Sequence, residues 1–361
     1  RQARRADWLR EAAPILFAGV LALAVLHAAY GPDREPPPLL FQASLIAGAC
    51  AMLLYRRPLV VVASLAALFA ILDTLHAMQG GRIHERSFFG VHKVETRING
   101  QFRMLIHGTT VHGAIRIRNP DGSPSEGRPR PLTYYHPDGP IDEALHAVPG
   151  QQQGRRLGVI GLGAGAHACN GLDADRWTFF EIDPLVVKIA TDRRLFRFLS
   201  DCAPSARLVI GDARLTLAKE PQGQFDSLLV DAFSSDSIPV HLLTREALGL
   251  YVGKLAPDGL LTIHISNRHI ELASVIGALS RDLGLAGRVK HYAPADVRID
   301  YDNAVPTSVV VLARRPEQLA GLGPTRGWEP LPDLGTELWT DDFSNIVTAI
   351  WRNYSEAFRG K

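Results

Sequence analysis

The hydrophobic pattern changes character twice along the chain. Up to about residue 78 the apolar residues run in unbroken blocks, at 12–30, 39–55 and 59–78. None of the blocks carries the polar stripe of a surface helix. Each is about 17 to 20 residues long, the length a helix needs to cross a bilayer's hydrocarbon core. GPDREPPP and RRP break them apart. The pattern predicts a transmembrane helical region over 1–80 with about three spans. A buried helical hairpin in a soluble core is the bland alternative. A repeated pattern with no small-residue cleavage site argues against a signal peptide.

Beyond residue 84 the pattern becomes alternating. Strands are predicted over 91–98, 102–106 and 111–117, joined by an Asn99-Gly100 hairpin turn and a turn at His107-Gly108-Thr109-Thr110. A polar Pro/Gly loop at 119–130 and a short helical stretch at 141–147 complete a small antiparallel β domain, 84–147. His107, His112, Tyr134, Tyr135 and His136 cluster near its turns. Their spacing is not that of a metal site, and no metal is expected.

From residue 151 short apolar runs alternate with helical stretches. Strands are predicted over 157–160, 177–182, 207–210, 225–230, 260–265, 289–292 and 308–313. Helices are predicted between the Gly161–Gly165 turn and the strand at 177–182, from the Asp183-Pro184 cap to about 198, over 243–255 and over 270–283. This order predicts an α/β domain over 151–320, with a parallel sheet covered by helices on both faces. Residues 321–361 are read as a C-terminal extension.

Ligands of such sheets bind beyond the carboxyl ends of the strands. Several polar positions fall on that edge: the turn Gly161, Gly163, Gly165; then Glu181; Asp212 with Ala213; Asp231; and Ser266-Asn267. Glycines let a backbone approach a ligand closely, and an acid after the next strand accepts hydrogen bonds from ribose hydroxyls. Asp212 and Ala213 are placed to meet an adenine. Asp231, past the central strand, is placed to orient an amine and take its proton. Helix N-capping is the competing role for both aspartates, and a tight loop without a ligand is the competing reading of the glycines. Asp236 is either a second amine-binding acid or a loop residue.

Net charge is +2, so no basic field argues for nucleic acid. Cys50, Cys169 and Cys202 are scattered without CxxC spacing, which predicts neither a metal site nor a disulfide framework and suits a reducing compartment. The first residue is Arg1, which implies processing or a longer chain. Arg1, Arg4, Arg5, Arg10, Arg56 and Arg57 flank the apolar blocks on what the positive-inside rule makes the cytoplasmic side. Three spans would then put the remainder outside, whereas a nucleoside cofactor places it in the cytoplasm. The expectation taken is a multi-pass protein of the cell (inner) membrane with its soluble part cytoplasmic. Asp73, near the end of the third block, is read as a solvated helix end.

The runs GVIGLGAGA, FFEIDP, GDAR, FDSLLVDAF, IPVHLLTREAL and LAPDGLLTIHISN together resemble the spermidine synthase family of aminopropyltransferases. The similarity is to the bacterial branch with fused N-terminal transmembrane helices. RSFFGVHKV, HGTTVHG, PLTYYHPDGPI and WTDDFSNI resemble other parts of that branch, so the likeness covers about 84–347. It implies a Rossmann-like fold of the S-adenosylmethionine-type methyltransferase class behind a small β domain. It also implies aminopropyl transfer from decarboxylated S-adenosylmethionine to putrescine or a related amine, in polyamine biosynthesis. On this resemblance Glu181 binds ribose, Asp212 binds adenine, Asp231 is catalytic, and Tyr135 helps to align the amine. A homodimer and a lipid bilayer are the implied partners. Three features depart from the family: Ala164 stands where its turn carries an acid, Asp231 and Asp236 are five apart instead of three, and Ala114 and Ile115 stand near the HGTT turn where a glutamine is expected. Those departures keep open methyl transfer from intact S-adenosylmethionine, and a non-catalytic polyamine-sensing or transport module.

Overall fold

Alternation from residue 83 onward produces four strands. These are β1 (Ile83–Ser87), β2 (Gly90–Arg97), β3 (Phe102–His107) and β4 (Thr110–Arg116), paired antiparallel in the order β1-β2-β3-β4. The first strand was not foreseen, because its turn is Phe88-Phe89 and carries no glycine or asparagine. The computed structural model describes residues 83–359 apart from 99, 109, 151–153, 234–238, 268 and 294–304, with side chains described up to 353. The three apolar blocks, Asp73 and Asp236 therefore lie outside the described residues. Among the described residues no helix is long and apolar enough to cross a membrane.

Helix α1 (Pro140–His146) leads into the second sheet, which holds β5 (Arg156–Ile160), β6 (Arg176–Glu181), β7 (Arg207–Ile210), β8 (Phe225–Val230), β9 (Leu255–His264), β10 (Ala286–Tyr292), β11 (Thr307–Ala313) and the short β12 (Glu329–Pro330). Their order is β12-β10-β11-β9-β8-β5-β6-β7. Strands β5 to β9 pair parallel, while β11 runs antiparallel to β9 and β10 antiparallel to β11. This is a doubly wound, Rossmann-like arrangement with two reversed strands at one end, β11 and the short edge strand β12. The connections change direction at β5, which lies between β6 and β8, and the crevice of such a sheet opens there.

Successive side chains of a strand point to opposite faces, so each strand feeds two cores. Leu157, Val159, Trp177 and Phe179 face one layer, together with Ile141 and Leu145 of α1 and with Val94, Leu105 and Ile115 of the small sheet. On the other face Ile160, Phe180, Leu228 and Val230 meet α5 (Arg245–Lys254) and α6 (Ala273–Asp282) through Leu248, Tyr251, Ile276 and Leu279. Because the small sheet shares the first layer, its β2–β4 residues are fixed relative to the large sheet.

Three sequence expectations need correction. The helix after Asp183 stops early: α2 is Pro184–Thr191, and a separate α3 follows at Phe198–Cys202. Asp192 breaks it by leaving the helical region (ψ 103°). The helix expected after the glycine turn is only a 3-10 turn, Ala166–Asn170, since Gly171 and the loop before β6 leave no room for more. Finally, Cys169 and Cys202 form a disulfide with a Cα–Cα distance of 5.0 Å. The 3-10 turn and α3 bring together cysteines 33 residues apart, a pairing that spacing alone does not encode.

Candidate active site

A cavity of about 270 Å3 lies beyond the carboxyl ends of β5, β6, β7 and β8. The turn after β5 forms its floor. Gly161, Gly163 and Gly165 all take positive φ (97°, 52° and 80°). At Gly161 an added Cβ would lie 2.3 Å from the carbonyl oxygen of Asp231, and at Gly163 2.5 Å from that of His112. The first glycine thus lets the turn meet the end of β8, and the second lets it meet β4. Gly165 serves a different purpose: it does not line the cavity, and a Cβ added there would lie 2.9 Å from Leu199 Cγ of α3. Ala164 also turns away, with its Cβ against Gly113 of β4. An acid at 164 would have to displace that strand.

Four carboxylates line the cavity: Glu181, Asp183, Asp212 and Asp231. The lining includes neither lysine nor arginine among the described residues. Glu181 ends β6 and accepts the backbone N–H groups of Leu162 (2.9 Å) and Asp183 (2.9 Å). Burial raises its pKa above the usual carboxylate value, and those N–H groups oppose the rise. Asp212 lies beside Ala213 and also caps α4 (Ala213–Ala218), accepting from the Leu215 N–H at 3.1 Å. Its capping role and its place in the cavity wall therefore coexist. Asp183 is occupied structurally: it caps α2 through the Leu185 N–H (2.9 Å), accepts the Ser87 hydroxyl, and pairs with Nε2 of His92 at 2.8 Å.

Asp231 is held from behind. The hydroxyl of Tyr135 donates to its Oδ2, and Nδ1 of His264 lies 2.6 Å from its Oδ1. Nε2 of His264 lies 2.7 Å from Oγ of Ser266. Among the described residues Asp231 caps no helix. Tyr135 does not line the cavity; its hydroxyl reaches the site only through Asp231. Burial and the Asp231 charge push the pKa of Tyr135 well above its ordinary value, so it stays a hydrogen-bond donor.

The wall opposite the sheet comes from β2–β4. His92, His107 and His112 line it, with ring centroids 4.7 Å apart for the first pair and 5.8 Å for the second. Burial lowers the pKa of His112 to about 4, so its imidazole is neutral near pH 7. Its buried Nε2 has no hydrogen-bond partner among the described residues. His136 lies apart from these three, its Nε2 3.0 Å from Arg130.

The structure therefore gathers Gly161, Gly163, Glu181, Asp212, Ala213 and Asp231 around one cavity. Gly165 and Tyr135 support it from outside. Sequence reasoning missed His264 and the imidazole wall. His264 lay within the quoted IHISN run, on the same side of β9 as Ser266 by the two-residue alternation, and that spacing was the available signal.

The fold and site define a doubly wound α/β chain with an acid-lined cavity beyond the carboxyl ends of its parallel strands. No family model matches the chain. It is 35% identical over 111 residues to the polyamine aminopropyltransferase of Vibrio vulnificus, covering 29% of this chain and 36% of that protein. It is 32% identical over 131 residues to the N-terminal histidine N-methyltransferase of Emericella nidulans, covering 34% of this chain and 22% of that protein. The chain thus spans about a third or less of these curated relatives. A probable spermidine synthase of Corynebacterium glutamicum superposes with a TM-score of 0.46 at 15% identity, covering 75% of this chain and 86% of that one.

Proposed function

We propose that the chain is a transferase of the spermidine synthase type, moving an aminopropyl group from decarboxylated S-adenosylmethionine to an amine such as putrescine. The observation that carries this reading is the cavity lining, with four carboxylates and no described lysine or arginine. A sulfonium with an ammonium tail matches such a lining, whereas the carboxylate of intact S-adenosylmethionine finds no described lysine or arginine there. Glu181 would hold the ribose diol and Asp212 with Ala213 the adenine. The amine nitrogen forms a bond to the carbon beside sulfur while the C–S bond breaks, its electron pair going to sulfur to leave a neutral thioether. Asp231 takes the proton released from nitrogen. The sequence similarity to an aminopropyltransferase supports the same reading.

Methyl transfer is the second reading. It is favoured by the N-methyltransferase relative and by Ala164, which leaves the turn without a tail-binding acid. One assay separates the two. The protein is given decarboxylated S-adenosylmethionine and putrescine, and methylthioadenosine release is followed. Release should fall by about a thousandfold in Asp231→Asn. Turnover only with intact S-adenosylmethionine would instead establish the methyl-transfer reading.

The apolar blocks before residue 80 support membrane attachment, and the adenosyl donor supports a catalytic unit facing the cytoplasm. The Cys169–Cys202 disulfide supplies the test, because disulfides persist in oxidising compartments. Alkylation of both thiols in intact cells by a membrane-permeant reagent, without added reductant, agrees with a cytoplasmic unit. A bridge that stays protected puts the unit on the other side.

A further inference from the structure

The carboxylate of Asp231 has a donor on each oxygen: Tyr135 on Oδ2 and His264 on Oδ1. The second donor is itself controlled. Ser266 Oγ accepts the backbone N–H of Ser308 at 2.9 Å, which frees its own hydrogen to donate to Nε2 of His264 at 2.7 Å. The Asp231 carboxylate only accepts, so Nδ1 carries the hydrogen that points at it, and in the neutral ring Nε2 is left to accept from the Ser266 hydroxyl. In the other tautomer a nitrogen lone pair would face a carboxylate lone pair at 2.6 Å. The ring is also wedged, with the ring centroids of Tyr134 at 4.9 Å and Phe233 at 4.8 Å. Both Asp231 and His264 have side chains only 6% exposed.

Four titratable neighbours of Asp231 supply no cation near pH 7. Tyr134 and Tyr135 are held neutral by burial, their pKa values pushed well above the ordinary one. His112 from β4 and His167 from the 3-10 turn are lowered by burial to about 4. Orientation of the carboxylate therefore rests on hydrogen bonds.

We propose that His264, fixed in its Nδ1–H form by Ser266, is a positioning residue that aims the Asp231 carboxylate at the incoming amine. This rests on the reading of Asp231 as the proton acceptor. A carboxylate pinned on both oxygens cannot rotate, so its remaining lone pairs stay directed into the cavity at no reorganisation cost during transfer. Without the Nδ1 donor, Asp231 keeps one anchor and swings about it.

The test uses the full chain with decarboxylated S-adenosylmethionine and putrescine, and measures kcat, KM and methylthioadenosine affinity separately. His264→Phe should lower kcat by roughly 100-fold, while methylthioadenosine affinity stays within about twofold of the parent. His264→Asn keeps an N–H near the place of Nδ1 and should recover all but about fivefold of the rate. Ser266→Ala, which frees the tautomer, should cost about tenfold in kcat, yet add nothing to His264→Asn, whose amide donor does not depend on Ser266. The inference is overturned if the Phe variant matches the parent, if Asn is as poor as Phe, or if Ser266→Ala is fully additive with Asn. Should His264→Phe fail to bind methylthioadenosine, the Asn and Ser266 variants still decide the matter. Parent-like turnover in Asp231→Asn sinks the role of Asp231 itself. Loss in Asp231→Asn with normal turnover in the His264 variants sinks only the positioning role.

Discussion

The floor of the cavity and its far wall are built by contacts of different reach. On the floor, Glu181 takes its hydrogen bonds from Leu162 and Asp183, 19 and 2 residues away, and Asp212 takes one from Leu215, 3 away. On the wall and at the reactive end, His92 meets Asp183 across 91 residues, Tyr135 meets Asp231 across 96, and His264 meets Asp231 across 33. The floor is thus a local property of strand, turn and strand, repeated along the sheet edge. The wall and the reactive end exist only after segments distant in the chain have come together. Binding of the adenosyl moiety and alignment of the chemistry should therefore be separable by mutation.

The sharpest way to break that separation is at Glu181. Glu181→Gln removes a buried charge that would accept the ribose hydroxyls. Hydrogen bonds to charged groups are worth about 1.5–3 kcal/mol, so methylthioadenosine affinity should fall by about 10- to 100-fold in calorimetry. The parent should also lose affinity on acidification at a higher pH than an ordinary carboxylate would dictate, because burial raises the pKa of Glu181 and protonation removes the acceptor. That acid-side loss should vanish in Glu181→Gln. If the variant binds as well as the parent and only its turnover suffers, floor and reactive end are not distinct, and the assignment of ribose to Glu181 fails.

The same division explains how much could be read from the sequence. The parallel strands β5 to β8 were legible because each is a short apolar run, bounded by turn residues, with its polar position at the carboxyl end. Gly161 and Gly163 were legible because nothing but glycine tolerates the approach of the Asp231 and His112 carbonyls. Strand β1 was hidden by an apolar turn, with Phe88 96% exposed where a polar residue was expected. The disulfide and His264 were hidden for another reason. Each depends on a tertiary contact, α3 against the 3-10 turn in one case and β9 beside β8 in the other, and no periodicity reports such contacts. Gly165 and Tyr135 do not line the cavity: sequence order says that a residue is near an edge, not which way it faces.

A smaller effect should separate the wall from the floor through pH. His167 is buried, with its ring stacked on Tyr135 at 5.0 Å and edge-on to Trp177 at 5.1 Å. Burial lowers its pKa to about 4 from an ordinary 6.5, against an opposing hydrogen bond from its Nδ1–H to Asn170 Oδ1 and the charges of Asp142 and Asp231. Between those two values the unfolded chain takes up a proton that the native imidazole refuses. Its contribution to stability is therefore complete above about pH 6.5 and is lost as the pH falls towards about 4. His112 acts in the same direction, lowered to about 4 as well. The urea midpoint of the parent should accordingly fall between pH 7 and pH 5. In His167→Phe, which keeps a ring between Tyr135 and Trp177 but cannot titrate, the fall should shrink by roughly half, since His112 still contributes its share. Methylthioadenosine affinity at pH 7 should not move, because His167 does not line the cavity. An unchanged slope would mean that the buried wall is open to protons in the native state. A changed affinity would mean that the packing behind Tyr135 reaches the floor, and the two regions would then be one.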